Sequence, residues 1–519
     1  MPLRANLPRQ LRENSTARIA SASGSAADRR HGLAELARDE DIHYIVGDWM
    51  SEYNMALRGG AKAVYPTDSS EFEPSFLEAI EPALEHLDAR QIRIAVNAGA
   101  SDTKKLHDIL VSVISKKGLK LRVAWVEGDE VIEVIQKGLK SGEGFKNLTT
   151  GENIKDWSFE PIYAQAYLGC WGIVEAFRQG AHIVLCGRVA DASPTIACAA
   201  YHHGWRRNDY SQLAHALVAG HFIECTTYIT GGNFSGFKDL PGASIDIGFP
   251  IAQIEATGEF SIYKQAGKDG MVTIETCKAQ LLYEIQGPYY YNSDVVAILD
   301  NIKMTQVGKD KVYGIRFVPG TAAFANFRTN GSCPENPANQ DAATVELRIF
   351  AQARDDKVLS PMKFLKPIVD NMMQSYPGAT LHLDTRQAFP KEYFEYWVSI
   401  IPQSATKHVC HLPWKSHRVE IAPPSDTVEF LYKQPTYETK SPINLASLGP
   451  VTKAPLGYVV HARSGDKGSD SNVGFFVRNA DEWDWLRSLL TVSKIKELLE
   501  EDDKGKPIFR FELSHLFGE

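Results

Sequence analysis

The sequence lacks the features that identify several large classes of protein. No apolar run approaches the roughly 20 residues that a membrane-spanning helix requires, and the N-terminus has no apolar segment of the secretory type. Lysine and arginine are mixed with acidic residues throughout, and the formal net charge is -8. These absences predict a cytoplasmic protein that has neither a membrane nor a nucleic acid as its partner.

Neither the cysteines nor any nucleotide-binding motif indicates a cofactor. The 7 cysteines are odd in number and widely spaced in apolar surroundings, which is typical of reduced thiols rather than of a disulfide framework. No CxxC or Cys/His cluster indicates zinc, and neither GxGxxG nor GK[ST] occurs. We therefore expect no metal and no redox or nucleotide cofactor.

What the chain does have is a regular alternation of apolar strands and helices. Its 519 residues, 44% hydrophobic and 23% charged, suffice for two or three folded units, one of them large. Helical patterns separate the apolar runs RIAS, HYIVGD, IRIAVNAGAS, LKLRVAWVEGD and AHIVLCGRVAD. This alternation predicts an α/β fold, in which a mostly parallel sheet carries helices on both faces. Ligands bind beyond the carboxyl ends of such strands.

Three further segments refine this prediction for the large unit. Asp102 is well placed to cap the helix that follows it. The pattern of residues 162–180 predicts one long helix that ends at Gly180. From about residue 225 to residue 351, Gly-rich and aromatic turns separate β-rich runs, so we expect a more antiparallel portion there.

The two ends of the chain differ from this large unit. Residues 1–17 are Arg-rich, contain two prolines and predict a disordered tail. The proline-rich residues 434–455 predict a linker, beyond which residues 456–519 predict a small α+β domain of strand, loop, strand, helix and strand. Its loop is the polar stretch ARSGDKGSDSN, residues 462–472, between the apolar runs YVVH and VGFFV.

Polar side chains follow several of the predicted strands. In GDWMSE, Asp48 and Glu52 share one face if a helix begins there; the alternative is a helix cap at Asp48 and an exposed Glu52. Asn97 follows the next strand. In CGRVADASP, Arg188 either binds a carboxylate or phosphate of a ligand or pairs with Asp191, and the latter is an equally good helix cap.

The densest group of polar residues is HFIECTTYITGGNF. A helix there would bring His221, Glu224 and Cys225 within one turn of each other, and a thiol beside an imidazole is a candidate nucleophile. The alternative for Cys225 is a packed thiol at a helix end. The paired glycines 231 and 232, followed by Asn233, suggest close approach of the backbone to a ligand.

The polar loop of the small domain is not a good calcium site, because the closing glutamate of an EF-hand is missing and Lys467 lies within it. We expect instead a network of Arg463, Asp466 and Lys467. This network either docks the small domain on the large unit or projects into the active site.

Five motifs, in this order, carry a resemblance: GDWMSE, NAGAS, LGCWGIVEAFRQGAHIVLCGRVADASP, HFIECTTYITGGNF and HARSGDKGSDSNVG. Together they resemble the acyclic terpene utilisation (AtuA-like) family, from about residue 18 to the C-terminus. The resemblance implies a large α/β domain at residues 18–433 and a small ferredoxin-like domain at residues 456–519. It also implies a link to the breakdown of citronellol- and geraniol-type acids as acyl-CoA thioesters.

The leading functional hypothesis is an enzyme that acts on a small branched or polyfunctional carboxylic acid, or on its thioester, by hydration, dehydration or isomerisation. Glu224 with His221, or Asp48, would move the proton, and the amides around the paired glycines would stabilise an enolate oxygen. The predicted substrate-binding residues are Asn97, Arg188, Asp191, Gly231, Gly232, Asn233, Arg463, Asp466 and Lys467.

Two alternatives remain open. The first is a hydrolase or acyl transferase that uses Cys225 as its nucleophile and His221 as its base. The second is a non-catalytic subunit of an acyl-CoA enzyme complex. A homo-oligomer is expected for a chain of this class.

Overall fold

The computed structural model describes residues 16–66, 70–242, 245–285, 287–299, 303–314, 328–330, 337–348, 350–351, 357, 359–370, 384–467 and 470–513. Most of the predicted N-terminal tail lies outside the described residues. The chain divides into two compact units, Met1–Thr321 with Tyr396–Glu519, and Ala322–Glu395.

A parallel sheet forms the centre of the larger unit. Its strands are β1 (Ala17–Ser21), β2 (Tyr44–Gly47), β3 (Arg93–Val96), β4 (Val123–Glu127) and β5 (Ile183–Cys186), in the order β1-β2-β3-β5-β4. All five coincide with predicted strands. Because the strands are almost entirely buried, most of their residues are apolar and do not alternate with polar ones.

Antiparallel strands extend the central sheet at both edges. The sheet has eleven strands in the order β10-β11-β7-β6-β1-β2-β3-β5-β4-β14-β15. The remaining strands of the described chain are β6 (Pro250–Ile254), β7 (Phe260–Lys264), β8 (Tyr289–Tyr291), β9 (Val296–Ile298), β10 (Met304–Gly308), β11 (Lys311–Gly314), β12 (Arg328–Asn330), β13 (Glu346–Arg348), β14 (Val409–Leu412), β15 (His417–Glu420), β16 (His461–Lys467) and β17 (Asp470–Phe476).

Helices cover both faces of the sheet. Successive residues of a strand point to opposite faces: in β5, Val184 belongs to one apolar cluster, and Ile183 and Leu185 to another. The helices of the described chain are α1 (Gly32–Asp39), α2 (Glu52–Val64), α3 (Ser75–Ile80), α4 (Leu84–Arg90), α5 (Thr103–Lys116), α6 (Ile132–Ser141), α7 (Trp171–Arg178), α8 (Ser193–His203), α9 (Tyr210–Glu224), α10 (Ile274–Leu281), α11 (Gln340–Ala343), α12 (Leu365–Asp370), α13 (Ala480–Leu489) and α14 (Val492–Leu499). Among the described residues, no helix combines the length and apolar character of a membrane span.

The prediction of a single long helix at residues 162–180 is wrong for the first half of this segment. Helix α7 starts only at Trp171. The residues before it are extended, with Gln165 opposite Glu130 and Leu168 beside Val189. Pairing with the segment that follows β5 therefore overrides the local helical pattern. Asp102 does precede α5, but its side chain makes no capping hydrogen bond.

The prediction of a polar loop at residues 462–472 is also wrong, because strands β16 and β17 pair there as an antiparallel hairpin. Burial alternates along β16, with His461, Arg463 and Gly465 inward. The inward side chains are polar, so the period of two was not visible as an apolar pattern. The strand expected near the C-terminus is absent from residues 507–513, although the amide of Arg510 donates to Thr436 Oγ1 at 2.8 Å.

The smaller unit, Ala322–Glu395, contains the antiparallel pair β12–β13 together with α11 and α12. The predicted fold class is confirmed: parallel strands with helices on both faces, antiparallel additions, and a small domain at the C-terminus.

Candidate functional site

Asp48 lies immediately after β2, at the carboxyl end of the parallel sheet. It does not cap α2, since Ser51 accepts the capping bond from the amide of Asn54 at 3.3 Å. The helical face predicted for Asp48 and Glu52 is therefore not formed. Asp48 Oδ1 instead accepts from the amide of Met50 at 2.9 Å and from the side-chain amide of Asn97.

Arg188 lies two residues after β5 and is 1% exposed. Its Nη2 is 2.9 Å from Asp191 Oδ1, its Nη1 is 3.9 Å from Asp48 Oδ1, and its Cζ lies 4.3 Å from the centre of the Tyr167 ring. The internal pair with Asp191 is therefore present. Helix α8 begins at Ser193 with Ala192 at its N-cap, so the capping interpretation of Asp191 is wrong.

Three carboxylates from different parts of the chain converge beside this guanidinium. Asp48, Asp191 and Glu224, the last residue of α9, each place one oxygen within 4.8 Å of the others. We call these three residues with Arg188 the buried site. One guanidinium accompanies three acidic groups, so proton uptake by one of them relieves their mutual repulsion.

Burial and charge repulsion raise the pKa values of carboxyl groups in and beside this site toward neutral pH. Burial, followed by the charge of Asp191, raises the pKa of Asp48 to about 7. Burial also raises the pKa of Asp129, which accepts from the backbone amide of Arg188 at 2.8 Å, to about 6. Burial alone would lower the pKa of Arg188, but Asp191, Tyr167 and Asp48 raise it, so the guanidinium stays charged.

His221 and Glu224 form a close pair at the end of α9. The carbonyl oxygen of Gln280, 2.9 Å from His221 Nε2, can only accept, so this nitrogen carries a hydrogen. The other ring nitrogen, Nδ1, faces Glu224 Oε1 at 3.5 Å. This contact is favourable only if the imidazole or the carboxyl is protonated. Glu224 is therefore held next to an imidazole within the buried site.

Cys225 follows α9 directly and is half-buried. Its Sγ lies 3.8 Å from Glu224 Oε1, to which it donates. Gly24, in the loop after β1, packs against it: a Cβ at this position would lie 2.7 Å from the Cα of Cys225. Only glycine allows that approach, which fixes the turn after α9 against the first strand exit.

The small domain contributes Arg463 to the neighbourhood of the site. Its Cζ lies 4.5 Å from the ring centre of Tyr228 and 4.1 Å from that of Tyr283. Burial, followed by the charges of Cys225, Glu284 and Glu224, raises the pKa of Tyr283. Arg463 thus docks the hairpin on the large domain close to Glu224. The side chains of Asp466 and Lys467 lie outside the described residues.

The paired glycines do not offer free amides to a ligand. The amide of Gly231 donates to Tyr228 at 3.3 Å, and that of Gly232 donates to Thr227 at 2.8 Å. Asn233 adopts a left-handed backbone with φ 56°. These residues close a turn after α9, and the enolate-stabilising amides expected there are already occupied.

A divalent cation is the group that the three carboxylates of the buried site could hold, since oxygen ligands suit hard cations. The Arg188 guanidinium already neutralises part of the negative charge of these carboxylates. A second group, His31, Glu35 and Asp246, has the same spacing. There the ammonium group of Lys268 bonds to both Glu35 and Asp246.

Two residues of the site were missed from the sequence. Asp129 follows β4 in VEGD, so the rule that identified Asp48 and Arg188 would also have identified it. Tyr167, which covers Arg188, was missed because its segment was interpreted as part of a helix.

The fold and the site define an α/β protein with a buried carboxylate–arginine cluster at the carboxyl ends of its parallel strands. The chain belongs to the acyclic terpene utilisation family. The family model described as "Acyclic terpene utilisation family protein AtuA" matches residues 17–324 and 316–412, and that of the AtuA ferredoxin-like domain matches residues 454–512. No curated protein and no solved structure matches the chain.

Proposed function

We propose that the protein is an enzyme of acyclic terpene utilisation that acts on a small branched or polyfunctional carboxylic acid, or on its acyl thioester, by acid/base chemistry. The reaction is a hydration, a dehydration or a double-bond isomerisation. One observation carries the proposal: Asp48 is a buried carboxyl, with its pKa raised to about 7, beside two further carboxylates and an arginine.

Asp48 is suited to general acid/base catalysis, because such a group works best when its pKa is near the working pH. A dehydration needs one group that removes a proton next to a carbonyl and one that protonates the departing hydroxyl, and the two groups then exchange roles in a hydration. Asp48 and Glu224 fill these two roles, with His221 as the positioning residue of Glu224.

Arg188 is proposed to orient the substrate. Its Nε is buried and donates no hydrogen bond within the described chain, so one donor of the guanidinium is available to a carbonyl or carboxylate oxygen. Its ion pair with Asp191 holds the planar group in position. Asn97 keeps Asp48 in place through the hydrogen bond to Oδ1.

The proposal is tested by a thermal-shift screen of short and branched acyl-CoAs and their free acids, since a ligand that binds the native state raises its apparent stability. Ligands that stabilise the protein are then assayed for turnover with the wild type and with Asp48→Asn. Turnover by the wild type that Asp48→Asn loses supports the proposal. Equal turnover by both proteins would overturn it.

A cysteine-dependent hydrolase or acyl transferase is the second candidate. The observation that favours it is the contact between Cys225 Sγ and Glu224 Oε1, through which Glu224 could accept the thiol proton. Alkylation by iodoacetamide and the variant Cys225→Ser both abolish cysteine catalysis. Cys225→Ser separates the two mechanisms, because it adds no bulk beside Glu224 and leaves chemistry at Asp48 intact.

A further inference from the structure

A cavity of about 290 Å³ lies next to the buried site but outside it. It opens between the N-terminal end of α7, the connection that precedes α9, and the residues that follow β15. Tyr167 lies between the two, because it lines the cavity and packs against Arg188 of the buried site. Its other walls belong to residues that have no part in the proposed reaction.

Arg207 supplies a positive charge to this cavity. Its Cζ lies 5.2 Å from the centre of the Trp171 ring, so the guanidinium is held against an aromatic face. Within the described chain it forms no ion pair and no hydrogen bond. An arginine that is fixed in position, with its N–H groups open, is suited to binding a planar or tetrahedral oxyanion.

The start of α7 adds backbone donors to the same wall. The amide of Cys170 donates to Asp294 Oδ2 at 2.7 Å. In contrast, the amides of Trp171 and Gly172, in the first turn, donate to no group in the described part of the chain. Free amides at a helix N-terminus, together with the positive end of the helix dipole, favour an anion.

His408 forms the part of the cavity wall that lies against the start of α7. It lines the cavity, and its Nε2 is buried without a hydrogen-bond partner among the described residues. The imidazole lies over the first turn of α7, since a Cβ at Gly172 would be 2.3 Å from Nε2. Burial lowers the pKa of His408 to about 4, so the ring is neutral and adds no charge to the cavity wall.

Each acidic side chain of the cavity already accepts hydrogen bonds through one of its oxygens. Asp294 accepts from the amide of Cys170 and from Ser193 Oγ at 3.1 Å, and burial raises its pKa. Asp426 accepts from Tyr210 Oη at 3.2 Å. The donors that the described chain leaves for an anion are the Arg207 guanidinium and the two amides at the start of α7.

We propose that this cavity is a binding site for a small oxyanion, a carboxylate or a phosphate group, with Arg207 as its main charged contact. The proposal is independent of the acid/base chemistry at Asp48. A ligand held here contacts Tyr167 and thus lies one side chain away from Arg188.

Calorimetric titration of the full-length protein tests the proposal, with inorganic phosphate, glutarate and adenosine 3′,5′-bisphosphate as probes. We expect the wild type to bind at least one of them, and Arg207→Gln to weaken that binding by about tenfold or more. Arg206→Gln is the matched control, because the neighbouring Arg206 is exposed, pairs with Asp209 at 3.6 Å and does not line the cavity.

Each outcome decides the proposal. Binding of phosphate and the bisphosphate alone assigns the site to phosphate groups, and binding of glutarate alone assigns it to carboxylates. Failure of all three probes to bind the wild type overturns the proposal, as does an equal loss in Arg207→Gln and Arg206→Gln. If Arg207→Gln does not fold, Arg207→Lys, which keeps the charge and loses the planar fork, replaces it with the same expected direction. Binding that persists in Asp48→Asn separates this site from the proposed reaction.

Discussion

Two groups of titratable side chains in this protein have the same spacing and opposite chemistry. The buried site brings Asp48, Asp191 and Glu224 within 4.8 Å, and the surface cluster does so for His31, Glu35 and Asp246. In the surface cluster, burial alone would raise the pKa of Asp246, but Lys268 and Arg29 lower it to about 2. In the buried site the pKa of Asp48 is raised to about 7.

This difference in pKa shows that proximity of carboxylates does not by itself produce a reactive group. The surface cluster has two cations for Asp246 and access to water, so its carboxylates stay ionised and stabilise the fold. The buried site is largely shielded from solvent and shares one guanidinium among three acids. When a carboxyl group is buried with too few cations nearby, its pKa rises into the pH range of catalysis.

The largest effect is expected from removing the titratable group of the buried site. Asp48→Asn preserves the hydrogen bonds from Asn97 and Met50 but cannot transfer a proton, so kcat/KM should fall by about 10²–10⁴. The matched change in the surface cluster, Asp246→Asn, should leave kcat/KM close to the wild-type value. Steady-state kinetics on a substrate from the thermal-shift screen check both. Comparable losses in the two variants would remove the distinction between the clusters.

The next largest effect concerns stability. Arg188→Ala leaves the buried carboxylates without their cation and should lower the free energy of unfolding by about 3–5 kcal/mol. Lys268→Ala breaks ion pairs that are partly exposed and should cost about 1 kcal/mol. Urea denaturation measures both losses. Equal losses would mean that Arg188 is no more important to its site than Lys268 is to the surface cluster.

A smaller, pH-dependent effect should have opposite signs in the two clusters. The folded-state pKa of Asp48 is raised from 3.8 to about 7, so ionised Asp48 destabilises the fold as the pH rises through this window. Asp48→Asn should therefore be more stable than the wild type by on the order of 2 kcal/mol at pH 8 and gain little at pH 4.

For Asp246 the pKa is lowered to about 2. Its stabilising contribution is present above the unfolded value of 3.8 and is lost as the pH falls toward 2. Asp246→Asn should therefore be less stable than the wild type at pH 8, and the difference should shrink in acid. Denaturation curves at several pH values test both signs, and the same sign for both variants would refute the assignment.

The smallest effect is expected at Cys225. If the proton-transfer groups are Asp48 and Glu224, Cys225→Ser should change kcat/KM by no more than about threefold. A loss of several orders of magnitude, matched by inactivation with iodoacetamide, would transfer the chemistry from the carboxyl groups to the thiol.

The sequence predicted the parallel core and the contributors to the buried site because both follow from one rule. Apolar strands that alternate with helices form a parallel sheet, and the polar residues that follow its strands meet at one edge. Asp48, Arg188 and Asp191 were found in this way, and Glu224 was found because a helix would bring it within one turn of His221 and Cys225.

The sequence could not predict features that depend on contacts between distant segments. Residues 162–170 have a helical pattern but pair with the segment after β5. The hairpin of β16 and β17 has polar residues inward because Arg463 stacks on Tyr228 and Tyr283 rather than entering an aliphatic core. In both cases the partner in space, which the local pattern does not contain, decides the conformation.

The most direct test of the central claim needs no substrate. Carbon-13 NMR of protein labelled at the aspartate side-chain carboxyls, titrated from pH 4 to pH 9, follows each carboxyl, and Asp48→Asn identifies the Asp48 signal. We predict that this signal titrates near neutral pH, close to the value of about 7. Titration of Asp48 at an ordinary aspartate pKa of about 4 would contradict the account.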